Sequence, residues 1–214
     1  MTVPLVLASR SPARLSTLRA AGIHPRVIVS DVDEDAVLAI ATAGRAAAGL
    51  GVLAPADAVL ALARAKAQDV SGANGTDAIV LGCDSMLEFG GEILGKPQTP
   101  EVARERWRAM RGGSGTLHTG HWVIDDRDDG SSGTLGATSS TVVHFADLTD
   151  AEIDAYVATG EPLQVAGAFT VDGIGGPYVT GIDGDYHGVV GVSLPLLRAL
   201  LLELGVAIHE FRSA

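Results

Sequence analysis

The chain has 214 residues, 47% of them hydrophobic, which is enough to bury one sizeable core. A formal net charge of −11 leaves no basic stripe for counterion release, so broad nucleic-acid binding is excluded and any anion site must be local. One cysteine, Cys83, excludes an internal disulfide framework and suits a reducing compartment.

Leu5–Ala8 reads as a short apolar strand that stops at Ser9-Arg10-Ser11-Pro12, after which a helical pattern carries Arg14, Leu15 and Leu18. Ser11 is a good N-cap, and Pro12 suits the first helical turn, where a missing N–H is harmless. Such a junction is either an ordinary strand–helix turn or a phosphate site, with free backbone N–H groups, the positive dipole end, Ser9, Ser11 and Arg14 converging. Gly22 suits the end of this helix, and Arg26–Ser30 reads as a second strand. The acidic run Asp31–Asp35 follows. If the strand continued, alternation would set Glu34 on the face opposite Asp31, Asp33 and Asp35. The run is either a solvated turn or a source of carboxylates for Mg²⁺, which takes one or two carboxylates plus substrate phosphate oxygens.

Ala36–Leu53 suggests a helix followed by a loop, and Ala56–Val70 is an amphipathic helix with Lys66 on or beside its apolar face. Lys66 and Lys96 are the only lysines among 15 Lys and Arg residues. A chain that otherwise uses arginine can reserve lysine for a compact point charge on phosphate, although a snorkelling side chain also accounts for Lys66. Ser71–Asp77 reads as a loop. Ala78–Cys83 is a continuous apolar run, hence a buried strand, and it is expected to end at Asp84-Ser85. A carboxylate there is costly unless it meets a donor or a cation, which marks Asp84 as the leading catalytic or metal-binding acid, with a turn cap as the alternative.

Met86–Leu94 reads as a hairpin about Gly90-Gly91. Gly90, four residues, then Gly95-Lys96 approaches Walker A spacing, but Pro97 stands where a Mg²⁺-binding hydroxyl belongs and no helix starts at the lysine, so a P-loop is rejected. Pro100–Arg111 is an amphipathic helix, and Gly112–Gly115 reads as a flexible link. Leu117–Ile124 is a strand whose His118 and His121 face opposite sides, which excludes a two-histidine metal site. Asp125–Ala137 has the composition of a mobile hairpin tip, with Thr138–Phe145 returning. Thr149 and Glu152 form a capping box for a helix through Thr159. Glycine-dense Leu163–Val192 reads as a loop-and-hairpin wall. Ser193–Leu204 is a helix, and Val206–Phe211 a short strand. The most apolar stretch, Leu194–Ile208, is broken by Arg198 and Glu203, so no membrane span is expected; nor is a signal peptide, and a cytoplasmic location follows.

Taken in order, Ser9–Arg14, Asp33-Glu34, the helix around Lys66, Gly82–Ser85, Leu94–Pro97, Ala166–Phe169 and Ile182–Tyr186 resemble the motifs of the Maf-like nucleotide pyrophosphatases from Leu5 to about Leu204. The resemblance implies a single two-lobed α/β domain over residues 1–214, with a long twisted mixed sheet similar to the inosine triphosphate pyrophosphatase fold and a cleft between the lobes. It also implies Mg²⁺- or Mn²⁺-dependent hydrolysis of nucleoside triphosphates to monophosphate and pyrophosphate, removal of non-standard nucleotides, a homodimer and a link to cell-division arrest. Carried onto this chain, Asp84 takes the place of the proton acceptor and Glu34 that of an acidic site residue; the mechanism expected from them has Asp84, with Glu34, hold the metal. Ser9, Ser11, Arg14, Lys66 and Lys96 make the substrate-binding set. This chain has Ala13, Ser85 and Asp172 where the family often has arginine, threonine or glutamine, and glutamine. Those positions are associated with base selection, so neither a pyrimidine nor a 7-methylguanine preference transfers. Asp172, an acceptor only, would favour a base edge that donates, such as that of guanine. The competing readings are a purine-selective pyrophosphatase and a nucleotide-binding regulator of division without turnover.

Overall fold

The computed structural model describes residues 2–128 and 132–212. A seven-stranded mixed sheet runs in the order β2 (Arg26–Val27), β1 (Leu5–Ala8), β3 (Ile79–Phe89), β5 (Ser114–Asp125), β6 (Gly133–Phe145) and β7 (Val179–Asp183), with β4 (Glu92–Leu94) paired to the far end of β3. β1 lies parallel to β2 and β3, and the remaining pairings are antiparallel. β3, β5 and β6 have 11, 12 and 13 residues, so they form a ribbon about 40 Å long. The expected mixed α/β architecture with one long sheet is what the chain adopts.

The long strands carry two cores on one face, one at each end. Leu81, Cys83 and Val123 pack with Leu7, Leu18 and Leu197 from β1, α1 (Pro12–Ala20) and α7 (Leu194–Glu203). Leu87, Leu117 and Val143 pack with Trp107, Ile153 and Tyr156 from α4 (Pro100–Met110) and α5 (Asp150–Ala158). Between the two, the same face changes chemistry: Ser85, Thr119 and Ser139 stand side by side in register across β3, β5 and β6. A polar row amid apolar alternation interrupts the core and leaves a waist between the lobes. Over it lies the short helix α6 (Tyr186–Val190), pressed so close that a Cβ on Gly188 would sit 2.8 Å from Ser139 Oγ.

The opposite face is covered by α3 (Pro55–Asn74), with α2 (Glu34–Ala47) against it. Two glycines set how near α3 comes. A Cβ on Gly82 would lie 2.1 Å from Ala63 O, and one on Gly120 would lie 2.3 Å from Val59 O, so the helix backbone rests directly on the strands.

Several local expectations change. β2 stops at Val27, and Asp31–Asp35 forms no strand: Asp33 caps α2, its carboxylate accepting from Ala36 N at 3.0 Å, so Glu34 belongs to a helical turn rather than to an alternating strand. α3 runs on to Asn74 and turns off at Gly75 in a left-handed conformation (φ 50°), replacing the expected loop at Ser71–Asp77. β5 begins at Ser114, so the glycines before it are a tight corner, with Phe145 N donating to Gly113 O. β6 starts at Gly133, earlier than expected, because its pairing with β5 extends to Asp125↔Gly133. The expected mobile tip centres on residues 129–131, which lie outside the described residues. The glycine-dense wall contains 3₁₀ turns, β7 and α6 rather than a hairpin. The last segment is a 3₁₀ turn, Ile208–Phe211, instead of a strand, because the Glu210 carboxylate reaches back to accept from Ala207 N at 2.7 Å.

Candidate active site

The most consequential correction concerns Asp84, which lies in the middle of β3 and not at its end. β1 pairs with β3 only as far as Ala8↔Gly82, and β4 takes up the same side only from Leu87 onward. Between them, Cys83–Met86 has no strand neighbour on that side among the described residues. The gap opens where β1 leaves the sheet toward Ser9 and the start of α1. A cleft of about 920 Å³ occupies it, lined by Ser9, Ser11, Ala13, Arg14, Glu34, Lys66, Asp84, Ser85, Lys96 and Asp172, so all the residues singled out from the sequence face one space. Asp84 and Ser85, adjacent in a strand, point to opposite faces and so reach opposite walls of the cleft.

On the α3 wall, Lys66 Nζ lies 2.6 Å from Asp84 Oδ1 and 2.7 Å from Glu34 Oε1. The close approach of α3 at Gly82 and Gly120 is what brings Lys66 down to the strand. Asp84 is 8% exposed, and an unpaired carboxylate so buried would be strongly disfavoured; the ammonium meets that need. Burial by itself would raise the Glu34 carboxyl, but the Lys66 hydrogen bond, together with the charges of Lys66, Lys96 and Arg14, holds it below its ordinary value. Lys66 retains one N–H beyond these two contacts for an incoming anion.

On the α1 wall, Ser11 caps the helix, its Oγ accepting from Arg14 N at 3.4 Å, with Pro12 in the first turn as the sequence requires. Arg14 is held at three nitrogens: Nη1 donates to Ser9 Oγ at 3.0 Å, Nη2 to Ser85 Oγ at 3.0 Å and Nε to Gly191 O at 3.0 Å. Ser9 Oγ also accepts from Ser11 N at 3.2 Å, which closes the loop after β1 around the guanidinium.

The third wall comes from the other lobe. Lys96 is exposed in the loop between β4 and α4, and among the described residues it makes no hydrogen bond or ion pair, so its charge is available to a ligand. Its loop is anchored one residue earlier, where Gly95 O accepts from Gly167 N at 3.3 Å and from the Arg106 guanidinium. Gln98, at φ 64°, adds a strained residue to the same rim.

Two residues of the site were not evident in the sequence. Glu161, just after α5, accepts from Thr170 Oγ1, from Ile174 N and Gly175 N (each 3.0 Å) and from Tyr156 Oη (3.2 Å), and so folds the segment bearing Asp172 around one carboxylate. Thr119 lies beside Ser85 on the neighbouring strand, 1% exposed, its hydroxyl 2.9 Å from Ser85 Oγ. In sequence, Thr119 is only a hydroxyl inside a strand and Glu161 only an acid near a helix end, with nothing local to mark either.

For a divalent cation, the relevant donors are Asp84 and Glu34, which converge on one ammonium and could share a cation with phosphate oxygens in the manner Mg²⁺ prefers. No set of three or more His, Cys, Asp and Glu forms an all-protein cage among the described residues. His118 and His121 do face opposite sides: His118 contacts Glu88 and Ser140, while His121 is fully buried. A separate pocket of about 330 Å³ beside the cleft, walled by Leu38, Thr42, Val52, Leu53 and Ile93, is almost wholly apolar and has no charged group in its lining. No helix among the described residues is long and apolar enough to cross a membrane.

A relative from Nocardia farcinica, named nucleoside triphosphate pyrophosphatase, is 54% identical over 213 residues, covering 98% of this chain and 97% of its own. Proteins of the same name from Leifsonia xyli and Streptomyces coelicolor are 52% and 53% identical, each over at least 94% of this chain and 93% of their own. A solved structure of a nucleoside-triphosphatase / dITP/XTP pyrophosphatase from Mycobacterium abscessus aligns over 94% of both chains, but at 12% identity and a TM-score of 0.37 the likeness is too remote to define the fold. Residues 4–204 match the family described as Maf-like protein, and the chain belongs to that family.

Proposed function

We propose that this chain hydrolyses nucleoside triphosphates to nucleoside monophosphate and pyrophosphate. The observation that carries the reading is the juxtaposition, in one cleft, of a buried carboxylate on Lys66 with two further cationic groups, Arg14 and Lys96, approaching from different walls. A binding module for a triphosphate needs the cations but has no use for Asp84, whose negative charge opposes the ligand. The names of the relatives support the same activity.

In this reading the triphosphate lies across the gap between β1 and β4. Arg14, Lys66 and Lys96 bind its oxygens and stabilise the pyrophosphate as it departs, while Ser9, Ser11 and the Ala13 N–H at the start of α1 orient it. Asp84 accepts the proton of the water that attacks the α-phosphorus in line with the leaving group. Asp84 and Glu34 would hold Mg²⁺ or Mn²⁺, whose charge would neutralise that developing on the phosphates. Lys66 holds that pair of carboxylates together and neutralises them in the meantime. Asp172, on the segment organised by Glu161, together with Ala13, faces the cleft where a base would enter. Its acceptor-only carboxylate favours a donating base edge, and Asp172→Gln is expected to change the ranking of bases. On the family resemblance, the proposal extends to a cytoplasmic homodimer that clears non-standard nucleotides, with a connection to arrest of cell division.

The experiment is pyrophosphate release across a panel of standard and modified triphosphates with Mg²⁺, Mn²⁺ or chelator, beside Asp84→Asn. Turnover that needs the cation and falls by about 10²–10⁴ in the variant is expected. Tight nucleotide binding with no release from any triphosphate would replace the enzyme by a regulator.

A further inference from the structure

The hydroxyls beneath Arg14 have a fixed direction. Thr119 Oγ1 lies 2.8 Å from Gly188 O, and a carbonyl cannot donate, so Thr119 spends its one proton there. Its contact with Ser85 Oγ at 2.9 Å must therefore be made by the Ser85 proton. Ser85 is then left with lone pairs only, and it accepts from Arg14 Nη2 at 3.0 Å. The chain of donors runs one way, from Arg14 to Ser85 to Thr119 to Gly188.

Both ends of this arrangement rest on α6. Gly188 in the last turn of α6 and Gly191 just after it supply carbonyls, which at a helix end have no intrahelical donor; Gly191 O accepts from Arg14 Nε directly, and Gly188 O is reached from Arg14 Nη2 through the two hydroxyls. α6 is pinned in turn: the Asp185 carboxylate accepts from His187 N and Gly188 N at 3.2 and 2.9 Å, and Asp185 N donates to Thr141 Oγ1 at 3.1 Å. With Ser9 on Nη1, three of the five guanidinium N–H groups are committed, and one remains on each terminal nitrogen.

We propose that Thr119 is a positioning residue for Arg14: by polarising Ser85 into a pure acceptor, it fixes the plane of the guanidinium so that its two remaining N–H groups face the phosphate site. It follows that Ser85 serves the phosphate end of the substrate and does not read the base. This inference rests on the reading that Arg14 binds substrate phosphate.

The test compares wild type, Thr119→Ser, Thr119→Ala, Ser85→Ala and Arg14→Ala in pyrophosphate release over a panel of bases, with the melting temperature of each. Thr119→Ser and Thr119→Ala both lose the methyl group, so they differ by the hydroxyl alone. Thr119→Ala is expected to lower kcat/KM by about 10- to 100-fold, by one common factor for all bases, and Thr119→Ser to restore most of it. Should Thr119→Ala fail to fold, the half-buried Ser85→Ala reads the same link and is expected to give the same base-independent loss. Wild-type kcat/KM in Thr119→Ala or Ser85→Ala, no rescue by serine, or a reordering of the bases would overturn the inference while Arg14→Ala still impairs the enzyme. Absence of release by wild type from every triphosphate would instead overturn the functional reading beneath it.

Discussion

Lys66 Nζ stands between two carboxylates, 2.6 Å from Asp84 and 2.7 Å from Glu34, and is the only cation in ion-pair contact with Asp84 among the described residues. The contact joins α3 to the middle of β3 and sets the charge of the cleft floor. Replacing Lys66 with Met should destabilise the protein by about 3 kcal/mol, because a carboxylate only 8% exposed loses its counter-charge. Adding Asp84→Asn to that variant should recover much of the loss, since no uncompensated charge then remains. Urea unfolding of the two single variants and the double measures the coupling directly, and additive losses would show that the pair does not act as a unit.

Gly82→Ala should be far more damaging than an added methyl group suggests. The new Cβ would meet Ala63 O at 2.1 Å, and backbone cannot yield as a flexible side chain does. α3 must lift, and Lys66 with it. A destabilisation of about 1–3 kcal/mol is expected, accompanied by a loss of pyrophosphate release larger than the population of folded protein explains. Retained activity at reduced stability would mean that Lys66 does not depend on the position of α3.

His121 is fully buried, and its protonation state follows from its neighbours. Nδ1 faces the Thr119 carbonyl at 3.0 Å and must donate, while Nε2 accepts from Ser193 N, the N-cap of α7, at 2.8 Å. The ring is therefore neutral, and burial, reinforced by Arg14, pushes its pKa down to about 4 from 6.5. The unfolded chain takes up this proton near pH 6.5, whereas the folded chain does so only near pH 4. Stability is accordingly unaffected above pH 6.5 and declines as the pH falls toward 4, by about 3 kcal/mol in total from this group. Denaturation midpoints of wild type and His121→Gln between pH 4 and 8 should converge on the acid side. A parallel pair of curves would rule out this assignment.

Lys96 offers the cleanest separation of binding from folding. It is exposed and has no ion-pair partner among the described residues, so Lys96→Ala should leave the melting temperature unchanged. If Lys96 holds the triphosphate, KM should rise or kcat fall by about tenfold or more, the equivalent of about 1.4 kcal/mol. Steady-state kinetics with unchanged parameters would remove Lys96 from the substrate-binding set.

Much of this protein is determined by local pattern. The Ser11-Pro12 helix start, the Thr149–Glu152 capping box, the amphipathic α3 and α4 and the buried start of β3 follow from residue types a few positions apart, because caps, proline and hydrophobic periodicity act over one or two turns. That Asp84, Arg14 and the two lysines are candidates for one site is likewise legible, from charge placed where it would be costly or useless without a partner, and all four line the same cleft. What the tertiary structure alone decided is which partners those are. The gap between β1 and β4 that lets a carboxylate sit in mid-strand opens where β1, far away in sequence, stops pairing with β3 at Ala8↔Gly82. The one-way hydroxyl chain from Arg14 to α6 joins residues 14, 85, 119 and 188, and Glu161 gathers donors only once the segment after α5 has folded back on it. A hydroxyl or a carboxylate looks alike in sequence whether it faces water or completes a network. Only the long-range approach of strands and helices supplies the second partner that gives it a direction.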